Sequence, residues 1–419
     1  MERPPPTYIV HGYDALTYAY NSRPLDDHEI AEARFLSVPI DMDISIPSGC
    51  LNNCDYCGYR DRPGRELSQE QIFSLIDEFA GMGGKSIRIV GEGEPLLRTD
   101  LLKILERMNE MGLVPVVFTC GDVLGSDELA RKIHGMSAWN LVKRLLELNT
   151  TIMLKYDSLS EADKITKREG YTKMRDNALE KLLLAGFTKF NPTHLGFGVV
   201  VTSRNIIELP KIYDFALKNN IYFLGCYLMP IGRAEKEEKR FLIQPSAVAV
   251  KEVSASLYKI AYDYGVRELF DVKLVPPSTQ FPLGFEMTFN GPNDFAGARK
   301  CAIATSGLFV DCTGDIKLCE ALPAIGRFPE KRLAAAWKEA ALLNDEKYGA
   351  CRSTGKCQMK RETGILPKDF DEAVRSEVQQ YMRENPQAWR SRKINSGLLK
   401  FFNRHPEKLV PQRKLLLAH

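Results

Sequence analysis

The chain has 419 residues, 44% of them hydrophobic and 26% charged, with a formal net charge of +3. These values describe an ordinary globular protein, long enough for two domains or for one large domain with an appendage. They exclude much: the charge is too mild to argue for a nucleic-acid partner, no apolar run reaches membrane-spanning length, and Met1-Glu-Arg-Pro-Pro-Pro6 lacks a signal peptide's apolar core. A cytoplasmic location is the expectation, and there the ten cysteines read as metal ligands or free thiols rather than disulfides.

Residues 1–37 form an N-terminal extension, proline-rich at first and helix-like around Asp26–Ala33, with no recognisable chemistry. The first strand signal is Ile40-Asp-Met-Asp-Ile-Ser-Ile46, followed by Pro47, Ser48 and Gly49 and then by Cys50-Leu-Asn-Asn-Cys54-Asp-Tyr-Cys57. Three thiolates on one loop suit an iron–sulfur cubane with one iron left free of protein, and an open iron can bind a small molecule. The alternatives are a zinc knuckle or unrelated buried thiols. Zinc would want a fourth ligand nearby, and no Cys or His follows until Cys120.

Ser68-Gln-Glu-Gln71 reads as a capping box opening a helix to about Met82, with Ile72, Leu75, Ile76 and Phe79 on its apolar face. Strand Ser86–Val90 follows, then a helix capped by Thr99 and ending near Met111, and strand Leu113–Thr119. Helical segments Asp127–Ile133 and Ala138–Leu148 lead to strand Thr151–Lys155. A helix at about Lys173–Ala185 precedes strand Leu195–Val201, and helix Ile207–Lys218 precedes strand Ile221–Tyr227. Six β-runs alternating with helices predict a parallel α/β sheet, as a partial barrel or a doubly wound sheet, with ligands at the carboxyl ends of the strands.

Beyond the charged linker Arg233–Arg240, a helix is expected at about Pro245–Tyr264, and the Pro- and Gly-rich stretch 270–300 is expected to be irregular. Gly307–Cys319 reads as a β-hairpin turning at Thr313-Gly-Asp315, where glycine supplies the positive φ. Cys301 before this hairpin and Cys319 at its far end make it a natural metal-cluster scaffold. After residue 365 the chain turns helical and polar, at Asp369–Glu384 and Lys393–Arg404. Ile394, Leu398, Leu399 and Phe402 there sit at the spacing of a docking face.

Gly91-Glu-Gly-Glu-Pro-Leu-Leu97 lies at the end of the second strand. Its glycines let the backbone approach a ligand closely, and Glu94 offers a carboxylate to an ammonium group. Alone, such a run is a turn more often than a site. Together with the cysteine triad about 35 residues earlier, and with the α/β alternation, it resembles the radical S-adenosylmethionine (radical SAM) superfamily. The resemblance covers roughly residues 38–235 and implies a partial (β/α)6 TIM-like barrel. Cys50, Cys54 and Cys57 would hold a [4Fe–4S] cluster that binds S-adenosylmethionine. The cofactor-binding set it implies is Tyr56, Gly91, Gly93, Glu94, Pro95, Lys155, Asn205, Met229 and Ile231. Two departures stand out: Cys120 in Phe118-Thr-Cys-Gly121, where many members have Thr-Asn-Gly, and Lys155 where many have serine.

Cys301, Gly314 and Cys319 resemble the start of a SPASM/twitch extension, as do Leu322-Pro-Ala-Ile-Gly326 and a helix ending near Trp337. Only Cys351 and Cys357 follow, so the resemblance implies one auxiliary [4Fe–4S] cluster on Cys301, Cys319, Cys351 and Cys357. A zinc ribbon on the same thiolates is the alternative. The implied division is a radical SAM core at 38–235, a linker helix and irregular segment at 236–300, an auxiliary-cluster domain with a small β-hairpin plus helix at 301–365, and a helical tail at 366–419.

The expected activity is reductive cleavage of S-adenosylmethionine to a 5′-deoxyadenosyl radical that takes a hydrogen atom from the substrate. Only 49 residues precede Cys50, short for the recognition domain that peptide maturases often carry. A small polar substrate, sugar or aminocyclitol-like, and an oxidative outcome are therefore preferred, with a peptide as the other possibility. The electron donor would be a flavodoxin or ferredoxin. Asp41, Asp43 and Asp157 are the candidate bases. Cys120 and Cys226 read as small buried hydrophobes or as hydrogen-atom donors, and Cys312 as an unassigned hairpin cysteine. Rival readings are a radical epimerase, deoxygenase or peptide-modifying enzyme and, in another class, an iron–sulfur electron carrier or redox sensor.

Overall fold

A computed structural model describes residues 38–46, 49–58, 67–190, 193–264, 270–274, 276, 278–279, 285–289, 291–292, 295–296, 307–342 and 357–385. At its centre, six parallel strands lie side by side in chain order: β1 (Asp41–Ile44), β2 (Ser86–Ile89), β3 (Val114–Thr119), β4 (Thr151–Lys155), β5 (Leu195–Val201) and β6 (Tyr222–Tyr227). Strands that are neighbours in both chain and sheet make an open (β/α) barrel. A doubly wound sheet would reverse its order at a switch point. The partial TIM-like barrel is therefore the fold.

Local chemistry explains most element boundaries. Helix α1 (Gln69–Gly81) opens on the expected capping box: Ser68 Oγ accepts the Gln71 N–H at 3.2 Å, and Gln71 Oε1 accepts the Ser68 N–H at 2.9 Å. Helix α2 (Leu101–Glu110) starts later than Thr99, because a 3-10 turn at Pro95–Leu97 comes first. Its N-cap, Asp100, makes no capping bond, since Arg98 holds that carboxylate at 2.6 and 2.9 Å. Between β3 and β6 lie α3 (Asp122–Gly125), α4 (Asp127–His134), α5 (Ala138–Glu147), α6 (Ala162–Thr166), α7 (Tyr171–Ala185) and α8 (Leu209–Lys218). The helices α3 and α6 span four and five residues, too few to display a 3.6-residue period in sequence.

Strand register sorts the side chains. Asp43, Arg88 and Val116 share a row across β1–β3, and Phe118 and Met153 share the next across β3–β4. Val116 and Met153 form a small interior cluster with Phe118, Tyr222 and Leu224. The alternate residues Met42, Ile44, Ile87, Ile89 and Val117 join the large core beneath the helices.

The later chain corrects one expectation. Residues 270–300 are not wholly irregular: β7 (Phe270–Leu274) and β8 (Phe285–Phe289) pair antiparallel, and β9 (Phe295–Ala296) pairs antiparallel with β6. Pro276, Pro277, Pro282 and Gly284 all fall in the connection between β7 and β8, which leaves both ladders intact.

The expected hairpin forms from β10 (Gly307–Val310) and β11 (Asp315–Lys317), with Gly314 at φ +90° in its turn. It does not stand apart from the barrel. β10 pairs parallel with β1, and β12 (Gly326–Arg327) extends the same ten-stranded sheet. A Cβ at Gly307 would lie 2.7 Å from Asp41 Oδ1, so only glycine fits at this seam.

Helices α9 (Glu237–Phe241) and α10 (Ala247–Tyr264) follow β6; α11 (Leu333–Leu342) runs on past Trp337, and α12 (Gln358–Glu362) and α13 (Phe370–Glu384) follow. α13 is tied to α10 by ion pairs Lys251–Asp369 at 2.9 Å and Lys259–Glu377 at 2.6 Å. One hydrophobic core extends from Ile40 to Val378, continuous across the expected boundaries at 235, 300 and 365. The helix-like segments expected at 26–33 and 393–404 lie outside the described residues. No helix among the described residues is long and apolar enough to cross a membrane.

Candidate active site

The cysteine loop leaves the carboxyl end of β1, where the Ser45 N–H still donates to Val310 at 2.9 Å and the Val90 N–H to Ile44 at 3.1 Å. Its turn closes through the Cys57 N–H donating to the Cys54 carbonyl at 3.2 Å, and the Asn53 N–H reaches Thr166 at 2.8 Å. Cys50, Cys54 and Cys57 stay outside disulfides. The glycine loop lies directly against them: the Glu94 N–H donates to Gly49 at 2.9 Å. Gly91 and Gly93 have φ of +76° and +127°, conformations that admit glycine readily.

The Glu94 side chain is buried and well supplied with donors. Oε1 accepts from the Thr119 hydroxyl at 2.5 Å and the Leu96 N–H at 3.1 Å, and Oε2 accepts from the Cys120 N–H at 2.6 Å. Burial raises its carboxyl above the ordinary value, against the pull of these donors. Glu94 thus knits the exits of β2 and β3 together beside the cysteine loop.

A second network closes the site at the exit of β4. The Tyr56 hydroxyl donates to Asp157 Oδ2, the Lys155 ammonium pairs with the same oxygen at 2.5 Å, and the Val200 N–H donates to Oδ1 at 2.9 Å. Both oxygens of Asp157 are therefore engaged, so this residue is an anchor for Tyr56 and Lys155 rather than an available base. Burial works against the Lys155 ammonium, but Asp157 and the Cys54 sulfur outweigh it and hold the lysine above its ordinary pKa. The same ammonium sits 5.6 Å from the Tyr56 ring centre and 5.2 Å from that of Tyr171.

Asn205 is placed differently from the expectation. It is fully buried, its amide donates to Asp157 O and Val200 O at 2.8 Å each, and its oxygen accepts the Thr202 N–H at 2.7 Å. That leaves no amide hydrogen for a cofactor, and it clamps the β4 and β5 exits instead. Ile231 does face the cysteine loop, since a Cβ at Gly58 would lie 2.8 Å from its Cδ1. The Met229 carbonyl accepts the Ile231 N–H at 2.9 Å within the β6 exit.

The extra cysteines have defined partners. The buried Cys120 thiol donates to Asp122 at 3.0 Å, and Asp122 also binds Arg168 at 2.6 Å. Burial, with Glu94 and Asp122 adding to it, holds Cys120 firmly as the thiol. Cys226 accepts a hydrogen bond at 3.3 Å from the fully buried Lys360 ammonium. Cys312 donates to Glu92 at 2.9 Å, which joins the hairpin to the glycine loop. Of the proposed auxiliary ligands, Cys319 and Cys357 are partly exposed, whereas Cys301 and Cys351 lie outside the described residues.

Asp41 and Asp43 lie on the barrel's inner face. Arg88 of β2 grips both: its Nη2 is 2.7 Å from Asp41, and its Nε contacts Asp43. Burial lifts the Asp43 carboxyl to about 7; Arg88 opposes the rise, while Asp41 and Glu320 add to it. Glu320 in turn approaches the cysteine loop, with Oε1 3.9 Å from where a Gly58 Cβ would stand. Sequence reasoning passed over Arg88, Glu320 and Arg233. The available signal for Arg88 was its position in Ser-Ile-Arg-Ile, a charge in an otherwise apolar strand whose register matches Asp43.

Among the described residues no three His, Cys, Asp or Glu side chains converge tightly enough to hold a single metal ion. The loop does fit a cluster in its donors, three uncrosslinked thiols on one turn; burial raises the Cys54 thiol above its ordinary value, and the Lys155 cation beside it offsets only part of that rise.

Comparison with known proteins agrees. Residues 44–216 match the radical SAM superfamily. A GTP 3′,8-cyclase of Limosilactobacillus fermentum is 28% identical over 203 residues, which cover 47% of this chain and 56% of that protein. The chain therefore spans just over half the length of this cyclase. An AdoMet-dependent heme synthase of Methanosarcina barkeri is 24% identical over 339 residues, or 75% of this chain and 87% of that protein. Among solved structures, Streptococcus suis SuiB bound to precursor peptide SuiA superposes with a TM-score of 0.51 at 15% identity, covering 83% of this chain and 78% of that one. The protein anSMEcpe with bound AdoMet gives 0.50 at 14% identity, covering 84% and 98%. Identities this low establish a shared fold. The cysteine loop and the glycine loop both lie within residues 44–216, and this segment, carried on the chain-ordered barrel, is a radical SAM domain.

Proposed function

We propose that this enzyme uses S-adenosylmethionine to oxidise a small polar substrate inside the barrel. Cys50, Cys54 and Cys57 would hold a [4Fe–4S] cluster, which with S-adenosylmethionine supplies a 5′-deoxyadenosyl radical on one-electron reduction. Glu94, through the loop it braces, and Lys155 would bind the methionine end. Tyr56 and Ile231 would flank the adenosine. An auxiliary cluster on Cys301, Cys319, Cys351 and Cys357 would supply an electron acceptor.

The observation that carries the oxidative reading is Asp43. It faces the interior between Arg88, Asp41 and Glu320, with a carboxyl that titrates at about 7. A group of that pKa takes a proton readily near neutral pH. Asp157, occupied by Tyr56, Lys155 and Val200, is poorly suited to that task. The interior around Asp41, Asp43 and Arg88 is charged, and this favours a polar substrate, because covering such groups with an apolar ligand costs free energy that a hydrogen-bonding ligand offsets. A peptide is the second reading, supported by the fold shared with SuiB, whose structure carries precursor peptide SuiA.

Iron analysis of the anaerobically reconstituted chain tests the two-cluster arrangement. About eight irons per chain are expected from two [4Fe–4S] clusters. About four, with or without one zinc, would remove the electron acceptor and with it the oxidative reading.

A further inference from the structure

The segment leaving β6 is fastened to the cysteine loop through Arg233. The Arg233 N–H donates to the Cys57 carbonyl at 3.2 Å. Its side-chain Nη1 donates to the Cys54 carbonyl at 2.8 Å and to the Asn53 carbonyl at 3.2 Å. Three loop carbonyls, two of them from proposed cluster ligands, thus depend on Arg233.

The backbones are pressed together at the same point. A Cβ on Gly232 would stand 2.4 Å from the Gly58 carbonyl oxygen, and a Cβ on Gly58 would stand 2.8 Å from Ile231 Cδ1. A side chain on Gly232 would meet the Gly58 backbone and part the two segments, whereas one on Gly58 would meet the Ile231 side chain. Charge adds a second point. Lys155 near Cys54 is already paired with Asp157, but no carboxylate among the described residues pairs with Arg233. Its positive charge therefore stands uncompensated against the cysteine loop.

We infer that Arg233 is a positioning residue: it locks the cysteine loop and supplies the positive charge that eases one-electron reduction of the cluster. Reduction would place one more negative charge on the cluster, where a cation hydrogen-bonded to the backbone of its ligand loop favours the reduced form. A guanidinium can bridge two carbonyls at once in a fixed geometry. The ammonium of lysine brings the same charge without that planar fork. The inference rests on the cluster reading of Cys50, Cys54 and Cys57, so the test has one arm that needs no cluster.

The first arm is hydrogen exchange of the 50–58 amides in the full-length apo protein. Arg233→Gln is expected to exchange about tenfold faster there than wild type, the equivalent of one charge-assisted hydrogen bond. The second arm is an EPR-monitored redox titration of the reconstituted chain. Arg233→Gln should shift the cluster to a more negative midpoint potential. Arg233→Lys should hold the potential near wild type while leaving loop exchange fast. Unchanged exchange in Arg233→Gln overturns the positioning role, and an unchanged potential in that variant overturns the electrostatic one. A wild-type chain that takes up no cluster would refute the cluster reading, and the exchange arm would still decide the loop.

Discussion

Glu94 and Asp43 are both buried acids, and their surroundings give them opposite work. Glu94 accepts from Leu96, Thr119 and Cys120, so it serves as a brace between strand exits. Asp43 shares one guanidinium with Asp41, and burial lifts its carboxyl to about 7. On the proposed mechanism Asp43 acts as a base and must be ionised, so the rate of substrate oxidation should rise as pH passes upward through about 7 and then level off. Asp43→Asn should remove that pH limb and lower substrate oxidation by roughly 10²–10⁴-fold, the usual share of a general base. Formation of 5′-deoxyadenosine without substrate should persist in that variant. Loss of both activities together would point to a structural role for Asp43.

At this scale the sequence was informative wherever a residue's role is set by its immediate neighbours. The spacing of Cys50, Cys54 and Cys57 and the run Gly91–Pro95 announced themselves. The roles of Asn205, Asp157 and Arg233 depend on partners 43 to 180 positions away, and no local pattern encodes such meetings.

Among the elements, strands β2 to β6 were legible to within a residue, because each is an apolar run bounded by turn residues. The pairing of β10 with β1 was not, since a four-residue strand carries no mark of its partner. Helix packing also hid its demands. In the short helix α3, Gly125 lies against α7 so closely that an added Cβ would fall 2.0 Å from the Met174 carbonyl oxygen. Gly125→Ala should therefore destabilise the protein by about 1–3 kcal/mol, as overpacking a tight core commonly does. Chemical denaturation of the apo protein measures this. A gain in stability, as expected for alanine in an unconstrained helix, would mean that α3 and α7 do not meet so closely.

For the molecule as a whole, chain-ordered parallel strands bring every strand exit to one end of the barrel. The cysteine loop from β1, the glycine loop from β2, Cys120 from β3, Lys155 from β4 and Arg233 beyond β6 meet there for that reason. The hairpin β10–β11 joins the same sheet at β1 and reaches the site through Cys312 and Glu92. The hairpin is thus built onto the barrel edge, an arrangement that alternating strands and helices alone could not foretell. The central claim is that this end of the barrel generates a radical from S-adenosylmethionine. Its most direct test is 5′-deoxyadenosine production by the reconstituted, reduced chain incubated with S-adenosylmethionine. Wild type should produce it and Cys54→Ala should not; none from a fully iron-loaded wild type, or equal amounts from both, would contradict the account.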